Sequence, residues 1–276
     1  MFTLNCNGNL IVVDKPLIMG IINATPDSFY PGSRFQGVNG ILQQAEKMLT
    51  EGASFLDIGG QSTRPGNEQV SIEVELTRLI AAVEALHVNF PEAVISVDTY
   101  YSRVAREAVA AGAGLINDIS GGSVDQDLME TVGVLNVPYV CMHMKGTPET
   151  MHLHPAYENV SREMIDYFIK KIDTCRKAGI HDVIVDPGFG FSKNATHNFS
   201  VLKDLSVFKI LQKPLMAGIS RKSTIYKTLG VSVEEALNGT TVLNTICLLN
   251  GAHILRVHDV KEAVEAVKLV RAYQDA

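Results

Sequence analysis

Polar side chains able to do chemistry recur in one setting in this sequence: each closes a short apolar run. Asn23 ends one run and the Gly59-Gly60 pair another; Asp98, Asn117 with Asp118, His143, Asp186, the Ser220-Arg221-Lys222 group and Arg256 with His258 end the rest. One aspartate in such a place is an ordinary turn or helix-cap residue, and Asp118 reads that way, holding a loop backbone. Repetition on nearly every run asks for more. Asp98, Asn117 and Asp186 offer carboxylate and amide acceptors with no His-x-x-x-His or cysteine partner, which is not a transition-metal set. They suit a flat heterocycle with adjacent N–H groups, because a carboxylate accepts two parallel hydrogen bonds. Lys222 and Arg256 could stack on such a ring or donate to its carbonyl.

The other cations point to an anion. GISRKS (218–223) runs from a strand into a short helix, where backbone N–H groups, Ser223 and Arg221 would face a negative group. Arg256 and His258 stand two apart on one strand, hence on one face. Two loops, ATPDSFYPGSRF (24–35) and QSTRPGNEQ (61–69), add charge to turn-forming residues and read as lids over a binding mouth. A third, DPGFGFSKNATHN (186–198), sets Phe189 and Phe191 between glycines as a mobile aromatic wall.

These residues need a scaffold that gathers strand ends. Eight near-continuous apolar runs, at 17–25, 54–60, 94–99, 115–121, 138–144, 182–188, 214–220 and 253–259, have the character of parallel strands buried on both faces. Amphipathic helical stretches separate them, several ending at Gly52, Gly112, Gly179 or Gly251. Eight strand–helix units in 276 residues make an α/β chain, a (β/α)8 TIM barrel, whose active-site face is the C-terminal ends of the strands. A doubly wound open sheet would carry a glycine-rich phosphate turn after its first strand; Asn-Ala-Thr-Pro-Asp stands there instead. The segment 1–16 reads as an N-terminal β-hairpin around Asn7-Gly8, covering the barrel floor. A single domain over 1–276 is expected.

Composition excludes much else. A formal charge of −6 gives no footprint for nucleic acid or an anionic membrane. No apolar run reaches the roughly 20 residues of a membrane helix, and the N-terminus lacks signal-peptide character, so a cytoplasmic chain is expected. Cys6, Cys141, Cys175 and Cys247 are scattered and read as buried free thiols.

Taken in order, MGIINATPDSF, DIGGQSTRPG, ISVDT, INDISG, CMHMKGTP, DPGFGFSKN, GISRKS and RVHD resemble the dihydropteroate synthase family over residues 19–259. That resemblance implies a transferase of folate biosynthesis, joining 6-hydroxymethyl-7,8-dihydropterin pyrophosphate to 4-aminobenzoate with release of pyrophosphate. It implies that Asp98, Asn117, Asp186 and Lys222 hold the pterin, with Met142 nearby and Arg256 stacked on it. Asn23, Arg256 and His258 would bind pyrophosphate, and Asn23 would help position Mg²⁺. Phe29, Thr63, Arg64, Pro65, Phe191 and Ser223 would form the aminobenzoate pocket, with Asp27 on the closing loop and sulfonamides competing there. Asn23, Asp98, Lys222 and Arg256 would carry catalysis, and the family is typically homodimeric. Gln61 departs from the glutamate of many members. A pterin-binding methyltransferase working with a corrinoid protein would share Asp98 and Asn117 but needs no pyrophosphate site. A silent pterin-binding paralogue would have lost Asn23 or Lys222. An aldolase forming a Schiff base on Lys222 is the remaining rival.

Overall fold

Strand-forming runs and helical stretches alternate along the chain as their periodicities require. The computed structural model describes residues 1–24, 34–61, 70–147, 150–151 and 156–276. Two antiparallel strands, β1 (Phe2–Cys6) and β2 (Asn9–Val13), turn at Asn7 and Gly8, both with positive φ, as a two-residue hairpin demands. The parallel strands follow: β3 (Leu17–Asn23), β4 (Phe55–Gly59), β5 (Val94–Asp98), β6 (Leu115–Asp118), β7 (Tyr139–Met142), β8 (Val183–Asp186), β9 (Met216–Ala217) and β10 (Ile254–Val257). Their spatial order is β8-β7-β6-β5-β4-β3-β10-β9, and a parallel bridge between Val185 and Leu215 joins the two edges. The expected eight-stranded barrel and its hairpin are both present.

Helices α1 (Arg34–Glu51), α2 (Ile72–Asn89), α3 (Ser102–Ala110), α4 (Leu128–Leu135), α5 (Val160–Lys177), α6 (Ala195–Lys203), α7 (Ser223–Leu229), α8 (Leu237–Leu249) and α9 (Val260–Gln274) connect and surround the strands. Several starts have visible causes. Ser71 and Asn159 cap α2 and α5 by accepting the Val74 and Arg162 amides, and Asn194 with His197 forms a capping box on α6. After α6 the chain continues in a 3₁₀ segment at Leu205–Leu211 rather than a further α-helical turn.

Strand alternation sorts the side chains into two cores. Outward residues such as Ile18, Leu56, Val97, Ile116 and Val185 pack under the helices. Inward residues at the strand starts, Leu17, Met19, Phe55, Val94, Leu115, Val140, Ile184, Met216 and Ile254, fill the floor together with Leu4, Cys6 and Val13 of the hairpin. The hairpin plugs the barrel's N-terminal end.

Candidate active site

Two residues above the apolar floor, the same inward alternation turns polar. Asp57 on β4, Ser96 on β5, Asn117 on β6, Met142 on β7, Asp186 on β8 and Arg256 on β10 point into the barrel, and Asp98 closes β5 one step higher. The register puts Asp57 beside Ser96, Asp98 beside Asn117 and Met142 beside Asp186.

Asp57 anchors this layer although it is fully buried. Its Oδ1 accepts the Ser96 hydroxyl at 2.5 Å, and its Oδ2 accepts Asn117 Nδ2 at 3.0 Å and Arg256 Nε at 2.6 Å. Arg256 donates again, through Nη2, to Asp98 Oδ2 at 2.7 Å. One guanidinium therefore bridges two carboxylates. Burial pushes the Asp98 carboxyl up to about 7, opposed chiefly by Arg256. Asp57 was not singled out from the sequence. The signal was available: it stands two before Gly59, so it shares the inward face of a strand whose other residues are apolar.

Asp186 is held for recognition from one side. Its Oδ1 accepts the Gly188 amide at 2.8 Å, and burial raises its pKa. Gly188 has φ +68°, and a Cβ there would lie 2.4 Å from the His143 carbonyl oxygen, so this turn requires glycine. Lys222 sits with Nζ 4.1 Å from the Phe191 ring centroid, over its face. Desolvation, with Arg256 nearby, pushes Lys222 down to about 8.

The wall carrying Phe191 is pinned rather than loose. Gly190 donates to Asn198 Oδ1 at 2.8 Å, and buried Lys193 Nζ donates to the Gly188 and Phe191 carbonyls at 3.1 Å each. His143 belongs to the same brace, its Nδ1 3.1 Å from Lys193 Nζ. Phe191 packs with Met142, Met144 and Tyr100 at the mouth, whereas Phe189 points outward into the helix-covered core. The expected pair of aromatic wall residues reduces to one.

At the rim, Ser220 Oγ accepts the His258 amide at 3.2 Å and lies 3.0 Å from His258 Nδ1. Desolvation and Arg256 push the His258 imidazole down to about 4, so at neutral pH it is uncharged, with one ring nitrogen engaged by Ser220. Asn23 is exposed at the end of β3, and Ser223 opens α7. Arg221 does not face an anion. Its φ of +51° turns the side chain away, where Nε and Nη2 grip Asp259 at 2.9 and 2.8 Å and Nη1 donates to the Val233 and Glu234 carbonyls. Asp118 is structural as expected, its carboxylate accepting the Ser120 and Gly122 amides and the Tyr139 hydroxyl. Gln61 is buried, accepting the Tyr100 hydroxyl at 2.8 Å and donating to Glu75 at 3.3 Å. Phe29, Thr63, Arg64, Pro65 and Asp27 lie outside the described residues.

Among the described residues, no three His, Cys, Asp or Glu side chains cluster as a metal site. What the layer offers is a set of buried acceptors and cations.

A family model described as pterin binding enzyme matches residues 19–258. The chain is 43% identical over 267 residues to a dihydropteroate synthase of Escherichia coli strain K12, covering 96% of this chain and 94% of that one. The structure of the Yersinia pestis dihydropteroate synthase in a sulfonamide drug complex superposes with a TM-score of 0.93 at 39% identity, covering 100% of both chains. That of the Xanthomonas albilineans dihydropteroate synthase with 4-aminobenzoic acid does so with a TM-score of 0.92 at 37% identity, over 99% of this chain and 98% of that one.

Proposed function

The chain belongs to the dihydropteroate synthases of the pterin-binding enzyme family, and from that membership we propose how its barrel mouth condenses 6-hydroxymethyl-7,8-dihydropterin pyrophosphate with 4-aminobenzoate to give 7,8-dihydropteroate and pyrophosphate. The pterin lies flat in the polar layer. Its 2-amino and ring N–H edge is the paired donor surface that the Asp186 carboxylate accepts. Asn117 and Asp98 take the remaining ring donors, Lys222 donates to the ring oxygen or nitrogen, Met142 packs beside the ring and Arg256 lies on its face.

The bond to pyrophosphate breaks before the new C–N bond forms. The electron pair of the C–O bond leaves with the pyrophosphate oxygen, and the pterin ring delocalises the positive charge left on its methylene carbon. The amine nitrogen of 4-aminobenzoate then supplies the electron pair of the new bond and loses a proton. Such a reaction needs charge stabilisation of the leaving group and exclusion of water rather than a nucleophile. Arg256 and His258 face pyrophosphate at the rim. Asn23 would hold Mg²⁺: one amide oxygen, with no carboxylate cluster among the described residues, fits an ion that arrives on the substrate's phosphates and keeps its waters. When bound, that ion neutralises charge on the leaving group. Phe191 and Ser223, together with Phe29, Thr63, Arg64 and Pro65, form the aminobenzoate pocket.

A homodimer is part of the same reading, supported by exposed Leu229, Val233, Val242 and Leu249 on and between α7 and α8. So is a cytoplasmic location, which suits four buried, unpaired cysteines.

The observation that carries the mechanism is the inward polar layer, where Asp57, Asp98, Asn117, Asp186 and Arg256 meet. The test is pyrophosphate release from the dihydropterin substrate with Mg²⁺, with and without 4-aminobenzoate. Pyrophosphate and dihydropteroate formed in equal amounts, and blocked by a sulfonamide, is the expected result. Pterin binding with no turnover would overturn it.

A further inference from the structure

The polar layer has an asymmetry that the binding of substrate must resolve. Arg256 presents one edge of its planar guanidinium to two carboxylates, Nε to Asp57 at 2.6 Å and Nη2 to Asp98 at 2.7 Å. The two carboxylates are not equivalent. Asp57 is fully buried, and both its oxygens are occupied, by Ser96 on one side and by Asn117 with Arg256 on the other. Among the described residues, Arg256 is the hydrogen-bond partner of Asp98, and that contact lies higher, towards the mouth. A pterin that donates to Asp98 therefore competes with Arg256 for it. When it wins, Nη2 loses its acceptor, and Nε keeps its own.

We propose that Asp57 is the positioning residue of the reaction, holding Arg256 by Nε as a pivot while the outer half of the guanidinium exchanges the Asp98 carboxylate for the pyrophosphate oxygens of the substrate. The inference rests on the pterin-synthase reading above and goes beyond it in assigning a role to a residue that touches no substrate. Through the exchange Nη2 passes from one anionic acceptor to another while Nε keeps Asp57, so the buried guanidinium is never left unpaired. It also ties leaving-group stabilisation to occupancy: only when the ring has claimed Asp98 does Arg256 turn a donor outward. Ser96 acts through Asp57, fixing the carboxylate plane.

Asp57→Asn breaks the pivot, because three donors converge on a side chain that now has an NH₂ group of its own, and one of them must be lost. The experiment compares the wild-type chain, Asp57→Asn and Ser96→Ala in two readouts. One is equilibrium binding of 6-hydroxymethylpterin, which lacks phosphates; the other is kcat and KM with the pyrophosphate substrate at saturating 4-aminobenzoate. Asp57→Asn should bind the phosphate-free pterin within about 3-fold of wild type while kcat falls about 100-fold, the size of loss seen when a preorganised charge stabiliser is removed. Ser96→Ala keeps the carboxylate and should show the same split at about 5-fold, in proportion to one lost hydrogen bond. Equal losses in pterin affinity and kcat would make Asp57 merely structural, and an unchanged kcat would remove it from the reaction; either overturns the proposal. If Asp57→Asn does not fold, the split in Ser96→Ala decides alone. Failure of the wild-type chain to bind either pterin is a different result, and sinks the synthase reading itself.

Discussion

The floor and the mouth of this barrel are built by the same strands, about two residues apart, and they solve opposite problems. On β4 the step is from Phe55 to Asp57, on β5 from Val94 to Ser96, on β8 from Ile184 to Asp186, on β10 from Ile254 to Arg256. The floor buries apolar surface against the hairpin and gains stability from it. The mouth buries carboxylates against the Arg256 guanidinium and Lys222, a pairing that offsets desolvation and gains little net stability. Stability and recognition are therefore separable by position along a strand, which gives each region its own signature in mutants.

The largest effects should come from the mouth and leave the fold intact. Lys222→Ala or Asp98→Asn should lower kcat/KM by about 1,000-fold, roughly 4 kcal/mol of transition-state stabilisation, with little change in melting temperature. A fall in melting temperature as large as that from a floor substitution would mean that these residues hold the fold together. Wild-type kcat/KM should also decline as pH rises through about 8. Lys222, pushed down to about 8, loses there the proton it donates to the pterin.

The floor should behave in the opposite way. Phe55→Ala removes a fully buried ring between strand starts and hairpin and should cost about 3 kcal/mol in chemical denaturation. Leu4→Ala, which opens the hairpin plug from the other side, should cost about 2 kcal/mol. In both variants kcat at a permissive temperature should stay within about 2-fold of wild type. A loss of kcat without a loss of stability would break the division between the two regions.

How much of this could be read in advance follows from the same division. The eight strands were legible because parallel strands covered on both faces are written as continuous apolar runs, and the barrel follows from their count. The strand-end residues Asp98, Asn117, Asp186 and Arg256 were legible as interruptions of those runs. Asp57 lies inside its run, so the only sequence mark it carries is its place two before Gly59 on the inward face; its pairing with Ser96 and Arg256 comes from register and long-range contact. Arg221 was misread as an anion ligand: its chemistry is right, but a left-handed backbone and a carboxylate 38 positions away decide where it points. Phe189 and Phe191 look alike in sequence, and only the turn at Gly188 and the clamp of Lys193 send one outward and the other to the mouth. What escapes sequence reading is long-range pairing.

The smallest effect expected comes from a buried carboxyl that belongs to neither region. Glu75 on α2 is fully buried behind the mouth, with Oε2 accepting Gln61 and Thr99 close by. Burial pushes this carboxyl up from 4.5 to about 7, opposed by a Thr99 hydrogen bond and by Arg78, with Asp98 adding to the rise. Between those two values the folded chain holds a proton that the unfolded chain has released, so unfolding free energy falls as pH rises from about 4.5 to about 7. Asp98 is raised as well and contributes a slope of the same sign, so the wild-type curve alone does not isolate Glu75. Glu75→Gln does. It removes the ionisation while leaving an oxygen for Gln61, and should stabilise the chain by an amount on the order of 1 kcal/mol at pH 8 with no gain at pH 4.5. The difference between the wild-type and Glu75→Gln denaturation curves across that window is the measurement. A difference that does not change with pH would mean that Glu75 is already ionised in the folded chain, held by Gln61 and Arg78. Floor and mouth would then be joined by a third charged contact rather than separated by a neutral one.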